Sequence, residues 1–175
     1  MSATAALISE FEQEASTTRR MLERVPTDKL AWKPHEKSMS LGTLALHVAT
    51  APAFLSDWAV QDTVTMSGGA PPDPGNTAEI VAAHDAGASK TKINIAQIGD
   101  ANLGKMWEIK GPDGKTMMAM PKAALLRSLV MNHTYHHRGQ LSVYLRLLNV
   151  PVPSIYGPSA DENPFAARPA SAVSA

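Results

Sequence analysis

Cysteine is absent from the 175 residues. Disulfide stapling, thiolate-ligated zinc, iron–sulfur clusters and cysteine nucleophiles are therefore excluded, and any soft-metal chemistry must draw on the six histidines. A cysteine-free chain also fits a reducing compartment. Net charge is lacking too, since 16 Lys and Arg balance 16 Asp and Glu. A dedicated nucleic-acid binder takes its affinity from basic residues that neutralise phosphates, and a membrane-surface protein from clustered Lys and Arg. Neither fits this balance. No run approaches the roughly 18 apolar residues of a membrane span. The opening MSATAALISEFEQEAS has neither the basic start nor the apolar stretch of a secretory signal. The expectation is a cytoplasmic protein that contacts neither nucleic acid nor membrane.

What is present is a 44% hydrophobic chain of a length that suits one core. Leu7, Phe11, Thr18, Met21 and Leu22 recur at helical spacing, which predicts an amphipathic helix over about Thr4 to Arg24, ended by Pro26. Leu30 and Trp32 then dock a connection. Ser40 is a good N-cap for a second helix from Leu41. With His47 as origin and a step of ~100° per residue, Leu44, Ala51, Phe54 and Trp58 fall within about 60° of it, which puts His47 in the middle of the buried stripe. Pro52, inside that helix, removes a hydrogen bond to Val48 and is expected to bend it. Ser67–Asn76 reads as a loop, Ala78–Ile98 as a third helix on an imperfect apolar pattern, and Lys105–Met118 as a short hairpin around a turn. A fourth helix is predicted from Pro121 to about Leu148. The last 25 residues hold 5 of the 13 prolines, so they cannot be helical. Ile155 and Tyr156 are expected to pack back, and 164–175 to be a flexible tail. The fold class is all-α, a four-helix bundle over 1–163 with a docked Pro-rich segment.

The chemistry lies in the histidines. His133 and His137 stand at i and i+4 and so share a helix face. With His133 as origin, Leu126, Val130, His137, Gln140, Tyr144 and Leu148 lie between about −20° and +60°. His47 on another helix can supply a third imidazole. Three neutral His with an open fourth position make a catalytic-type Zn²⁺, Ni²⁺ or Fe²⁺ site. No Glu-x-x-His motif appears, which excludes a di-iron carboxylate bundle. The bland alternative is three core histidines, each satisfied by its own neighbour. His136 is read as non-ligating, His84 beside Asp85 as a surface residue, and Arg138 and Arg146 as pointing away from the stripe. Gln140 and Tyr144 are placed to hydrogen-bond the imidazoles or a bound ligand. Met117, Met118 and Met120 read as core filler. His35-Glu36 opens an H-E-x-x pattern, but Met39 occupies the place of the second His.

The run HTYHHRGQLSVYLRLLNVPVPSIYGPSADE, from His133, resembles the final helix and tail of the DinB-like (DinB/YfiT) superfamily. The run LAWKPHEKSMSLGTLALHVAT, Leu30 to Thr50, resembles that family's second-helix region with its single inward His. The resemblance implies an up-down-down-up bundle, often a homodimer, with a divalent metal ion held by His47, His133 and His137. It also implies a small-molecule substrate, since relatives include S-transferases and maleylpyruvate isomerases that use low-molecular-weight thiols. Bound as a thiolate, such a thiol would give transfer or isomerisation; an acidified water would give hydrolysis. A non-catalytic metal-binding module is the remaining reading. No catalytic residue beyond the metal set can be named from the sequence.

Overall fold

The computed structural model describes residues 2–65 and 72–166, so part of the expected Ser67–Asn76 loop and most of the expected tail, 167–175, lie outside the described residues. Helix α1, Ala3–Leu22, begins at Ser2, whose hydroxyl accepts from the Ala5 N–H at 3.2 Å. The Asp100 carboxylate accepts from the N–H groups of Ala3 and Thr4 at 3.0 and 2.8 Å, and from the Thr4 hydroxyl at 2.6 Å. An anion thus satisfies the orphan donors of the first turn, and these bonds hold the Asp100 carboxyl below its ordinary pKa. Helix α2, Leu41–Val60, is capped by Ser40, which accepts from the Thr43 N–H at 3.1 Å, and it runs on through Pro52.

Helix α3, Thr77–Ile98, starts with a reciprocal cap. Asn76 Oδ1 accepts from the Glu79 N–H at 2.9 Å, and the Glu79 carboxylate accepts from the Gly75 N–H at 2.8 Å. Its buried face is Ile80, His84, Gly87, Thr91, Asn94, Ile95 and Ile98. Four of these seven are small or polar, which is why the apolar pattern is imperfect. Gly87 lets α2 and α3 approach closely, because a Cβ there would lie 3.2 Å from the Ala49 carbonyl oxygen. His84, expected at the surface, is instead 5% exposed. Burial pushes its imidazole pKa down, although Asp85 at 3.3 Å opposes the shift.

The last helix, α4, is α-helical over Lys122–Leu125, π-wound over Leu126–Asn132 and α-helical again over His133–Leu147. Residue pairs give the relative directions. Arg19 meets Asp85 and Glu12 meets Lys92, so α1 and α3 are antiparallel. Ser56 meets Asn94 where Ala49 faces Gly87, so α2 and α3 are parallel. Glu10 meets Arg127 and Glu14 meets Arg138, so α1 and α4 are parallel. Two apolar clusters fill the interior. Phe11, Leu55, Ile95, Trp107, Leu126 and Val130 belong to one, and Met21, Leu41, Leu44, Ile80, Leu141 and Leu145 to the other. No helix among the described residues is long and apolar enough to cross a membrane.

The all-α expectation needs correction. The fold is mostly helical, but it carries a mixed three-stranded sheet in the order β1-β2-β3. The expected hairpin is β2, Met106–Lys110, against β3, Thr116–Pro121, turning at Gly114 with φ +76°. The unforeseen strand is β1, Thr63–Thr65, parallel to β2. At three residues it is too short to show alternation, and only the partner strand defines it. Trp107, Ile109 and Val64 bury their side chains in the first cluster. Met117 and Met118 are not core filler but 60% and 42% exposed, whereas Met120 packs against that cluster.

Arg138, expected to point away from the buried stripe, is also corrected, being 1% exposed. Its guanidinium donates to the Glu14 carboxylate at 2.7 Å, to Thr18 Oγ1 at 3.1 Å and to the Tyr156 hydroxyl at 2.6 Å. It therefore ties α4 to α1 and to the segment after α4. Of the two residues expected to pack back, Ile155 lies against the second cluster while Tyr156 is 71% exposed and docks through its hydroxyl; the Asp161 and Glu162 carboxylates accept from the N–H groups of Val152 and Ser154, both at 2.8 Å. Arg146 points outward as expected and pairs with Asp161. Glu14→Leu strands the buried guanidinium and is expected to cost about 3–5 kcal/mol of stability. Arg138→Met should cost less, because the Glu14 side chain, 17% exposed, can rehydrate. Urea unfolding of both variants checks the order; equal or reversed costs would contradict it.

Candidate metal centre

His47 lies two turns into α2, and His133 and His137 open the second α-helical part of α4. The bundle brings α2 and α4 together with these positions facing. The faces differ in part from those the wheel predicted. Along α2 the buried side includes Leu41, Leu44, Ala45, Val48, Ala51, Pro52, Leu55 and Ala59, so Leu44 and Ala51 lie inward as expected, while Phe54 is 53% exposed. His47 is consequently half-buried on the rim of the stripe, not at its middle. On α4 the buried line is Leu126, Val130, Thr134, Arg138, Leu141 and Leu145. At a constant α-helical step of ~100° these six would spread over roughly 120° of arc. The π-wound stretch narrows that spread, because each π turn takes one more residue than an α turn. That change of phase turns His133 and His137 to the edge of the core.

At that edge the three imidazoles converge. His133 Nε2 lies 3.0 Å from His137 Nε2 and 3.5 Å from His47 Nε2. The ring planes are nearly perpendicular in every pairing, at 84°, 86° and 89°. A tetrahedral ion with metal–nitrogen bonds of about 2.0–2.1 Å holds neighbouring nitrogens roughly 3.3–3.4 Å apart, so the observed spacings bracket the required one. The donor set is three imidazoles without a carboxylate, and its ligand atoms all lie within 4.8 Å of one another. These residues fit a divalent ion.

The rings are also in the right protonation state. Burial, followed by the mutual charge of His137, His47 and His136, pushes the His133 imidazole down to about 4. Burial is the leading cause of the downward shifts at His47 and His137 as well. Neutral imidazole is the form that binds metal.

Around the cluster the sequence expectations divide. Gln140 does reach an imidazole: its Oε1 lies 2.7 Å from His137 Nδ1. Tyr144 does not; its hydroxyl donates to the Met39 carbonyl at 3.4 Å, and its ring meets Trp32 edge-on. His136 is exposed with its ring 4.8 Å from that of His137, and it is outside the converging set. His35 is exposed, accepting the Lys37 N–H at its Nδ1. His133 Nδ1 is buried with no hydrogen-bond partner among the described residues. Nothing in the sequence signals that orphan, because it depends on what the other helices fail to present there.

Comparison with known proteins follows the same lines. Residues 1–164 match the DinB family. The uncharacterized protein YrdA of Bacillus subtilis (strain 168) is 27% identical over 158 residues, which is 89% of each chain. The uncharacterized protein YjoA of the same organism is 26% identical over 144 residues, 80% of this chain and 87% of that one. Among solved structures, a DinB-like protein from Bacillus cereus ATCC 10987 superposes with a TM-score of 0.68 at 24% identity, covering 86% of this chain and 95% of the other. The structure of Bacillus subtilis YjoA gives 0.65 at 21% identity, covering 85% and 96%. These structural likenesses speak to the fold. With the family match spanning nearly the whole length and three histidines meeting where two helices face, the chain belongs to the DinB family.

Proposed function

We propose that this chain is a divalent-metal-dependent enzyme in which His47, His133 and His137 hold the ion and a fourth position stays open to a small-molecule substrate. The supporting observation is the approach of three Nε2 atoms at 3.0 and 3.5 Å, with no carboxylate bonded to any of these rings among the described residues. When bound, a divalent ion supplies Lewis acidity to the group that occupies the open position. Three neutral donors leave the positive charge uncompensated, so the site favours an anionic guest. Half-burial leaves it reachable from solvent on the side of exposed His136. Imidazole donors suit zinc, nickel, copper and iron alike; zinc or nickel is the proposed ion, with iron next.

Among the described residues no carboxylate joins the three-histidine group, and this bears on the reaction. A water or a thiol bound to a divalent ion would be acidified alike, but hydrolysis also draws on a general base for its proton transfers, which thiolate attack does not. This supports a low-molecular-weight thiol as the guest, and S-transfer or isomerisation as the chemistry. The helix order is read as up-down-down-up. The parallel pairs α1–α4 and α2–α3 and the antiparallel pair α1–α3 support it. Exposed Val143 and Leu147 on α4, at 56% and 58%, support a homodimer. A cytoplasmic setting is proposed on the lack of cysteine.

Protein purified without a polyhistidine tag is expected to carry about one equivalent of divalent metal, falling to near zero in His47→Ala and His137→Ala. Metal content unchanged in those variants would sink the site. Turnover of a small thiol with an electrophile should require the metal. Metal-dependent turnover of esters alone would replace transfer by hydrolysis, and none on either panel would leave a bracing ion. Acid gives a third test. The three imidazoles have lower pKa values folded than unfolded, so the unfolded chain binds more protons between the two values. Their contribution to stability is whole above the unfolded pKa of about 6.5 and fades as pH falls towards the His133 value of about 4. Metal-free protein should therefore lose melting temperature across that window, and His133→Gln should flatten the loss. An identical acid limb in the variant would refute this account.

A further inference from the structure

Only one arrangement of protons suits the contacts of the cluster. His133 Nδ1 is buried without a partner among the described residues. A proton there would be an unsatisfied buried donor, costing about 1–3 kcal/mol. With the proton on Nε2 the Nδ1 atom is instead a bare acceptor, so the contacts of Nε2 decide between the two tautomers. That nitrogen is 3.0 Å from His137 Nε2, a contact that needs one hydrogen between the two atoms. An amide oxygen 2.7 Å from His137 Nδ1 can only accept, so His137 is protonated on Nδ1, its Nε2 accepts, and the hydrogen between the rings is on His133 Nε2. That amide oxygen is Gln140 Oε1, one turn further along α4. The chain of donation closes: His133 Nε2–H to His137 Nε2, and His137 Nδ1–H to Gln140 Oε1.

We infer that Gln140 is a positioning residue that holds His137 in the Nδ1–H tautomer with its Nε2 lone pair facing the cluster, ready to bind a cation. Of the three rings, His137 alone has a side-chain acceptor of this kind among the described residues. The ligands are therefore unequal. His137 needs no rearrangement to accept a cation, while His133 must move its proton from Nε2 to Nδ1, where no partner receives it. The metal arm of the test rests on the proposed metal reading; the tautomer arm does not.

Long-range ¹H–¹⁵N spectra of the histidine rings in metal-free protein decide the first arm. His137 is expected as Nδ1–H and His133 as Nε2–H. Gln140→Leu should shift His137 towards Nε2–H, and Gln140→Glu, which keeps an acceptor, should restore Nδ1–H. Adding Zn²⁺ to the wild type should leave the His137 tautomer unchanged and convert His133 to Nδ1–H. By competition with a chromophoric chelator, Zn²⁺ should bind Gln140→Leu about 10–100-fold more weakly than wild type, and Gln140→Glu at least as tightly as Gln140→Leu. A His137 tautomer insensitive to Gln140→Leu would overturn the inference. So would a Zn²⁺ affinity within twofold of wild type in that variant. Failure of the wild type to bind Zn²⁺ would count against the metal reading, with the tautomer spectra still judging the role of Gln140. Gln140 is exposed, so these variants are expected to fold.

Discussion

The rotational phase of α4 is the constraint on which the site depends. This helix must send Leu126, Val130, Leu141 and Leu145 into two apolar clusters while keeping two histidines a turn apart within reach of α2. A uniform α-helix would spread these four over roughly 100° of arc. Seven residues of π-winding, Leu126–Asn132, narrow that arc immediately before His133. The winding gives up regular α-helical bonding over those residues. In return, the apolar side chains share one face and the imidazoles sit at its edge, buried enough to stay neutral and exposed enough to meet a solute.

The motif His-His-Arg-Gly-Gln at 136–140 divides its labour by helix geometry. His137 turns towards α2, Arg138 turns a further step into the interior to reach Glu14 and Tyr156, and Gln140 returns to the His137 face one turn on. A single turn therefore carries a candidate ligand, its orienting acceptor and the ion pair that joins α4 to α1. The Arg138 contacts also explain how a Pro-rich segment without helix or strand stays docked: Tyr156 binds the guanidinium, and Asp161 and Glu162 take up backbone N–H groups. Altering the interior salt bridge thus bears on the position of His137, its neighbour in the chain.

The histidines also sit at a seam. On α2, His47 lies between Leu44 of one cluster and Ala51 of the other; on α4, His133 and His137 lie between Val130 and Leu141, which again belong to different clusters. Apolar packing above and below fixes the helices without filling the space between the imidazoles. Three rings with depressed basicity and Nε2 atoms 3.0–3.5 Å apart are poorly satisfied by one another alone. A shared cation answers that shortage, because every ring then uses its lone pair.

The sequence by itself determined the four helices, the hairpin, and the identity of the three converging histidines. Each rests on local physics: caps at Ser40 and Asn76, Pro and Gly as breaks, and the i,i+4 spacing that puts His133 and His137 on one face. It also carried the family resemblance, in the motifs around His47 and His137. It did not reveal the strand Thr63–Thr65, the burial of Arg138 and His84, the exposure of Phe54, Met117 and Met118, or the rim position of the imidazoles. Those belong to tertiary structure, because burial is a property of what a neighbouring helix presents and not of the residue itself. A wheel drawn at a constant step also cannot contain a π turn. Arg138 looks like a surface residue until Glu14 and Thr18 of α1 and Tyr156 of the segment after α4 are brought around it.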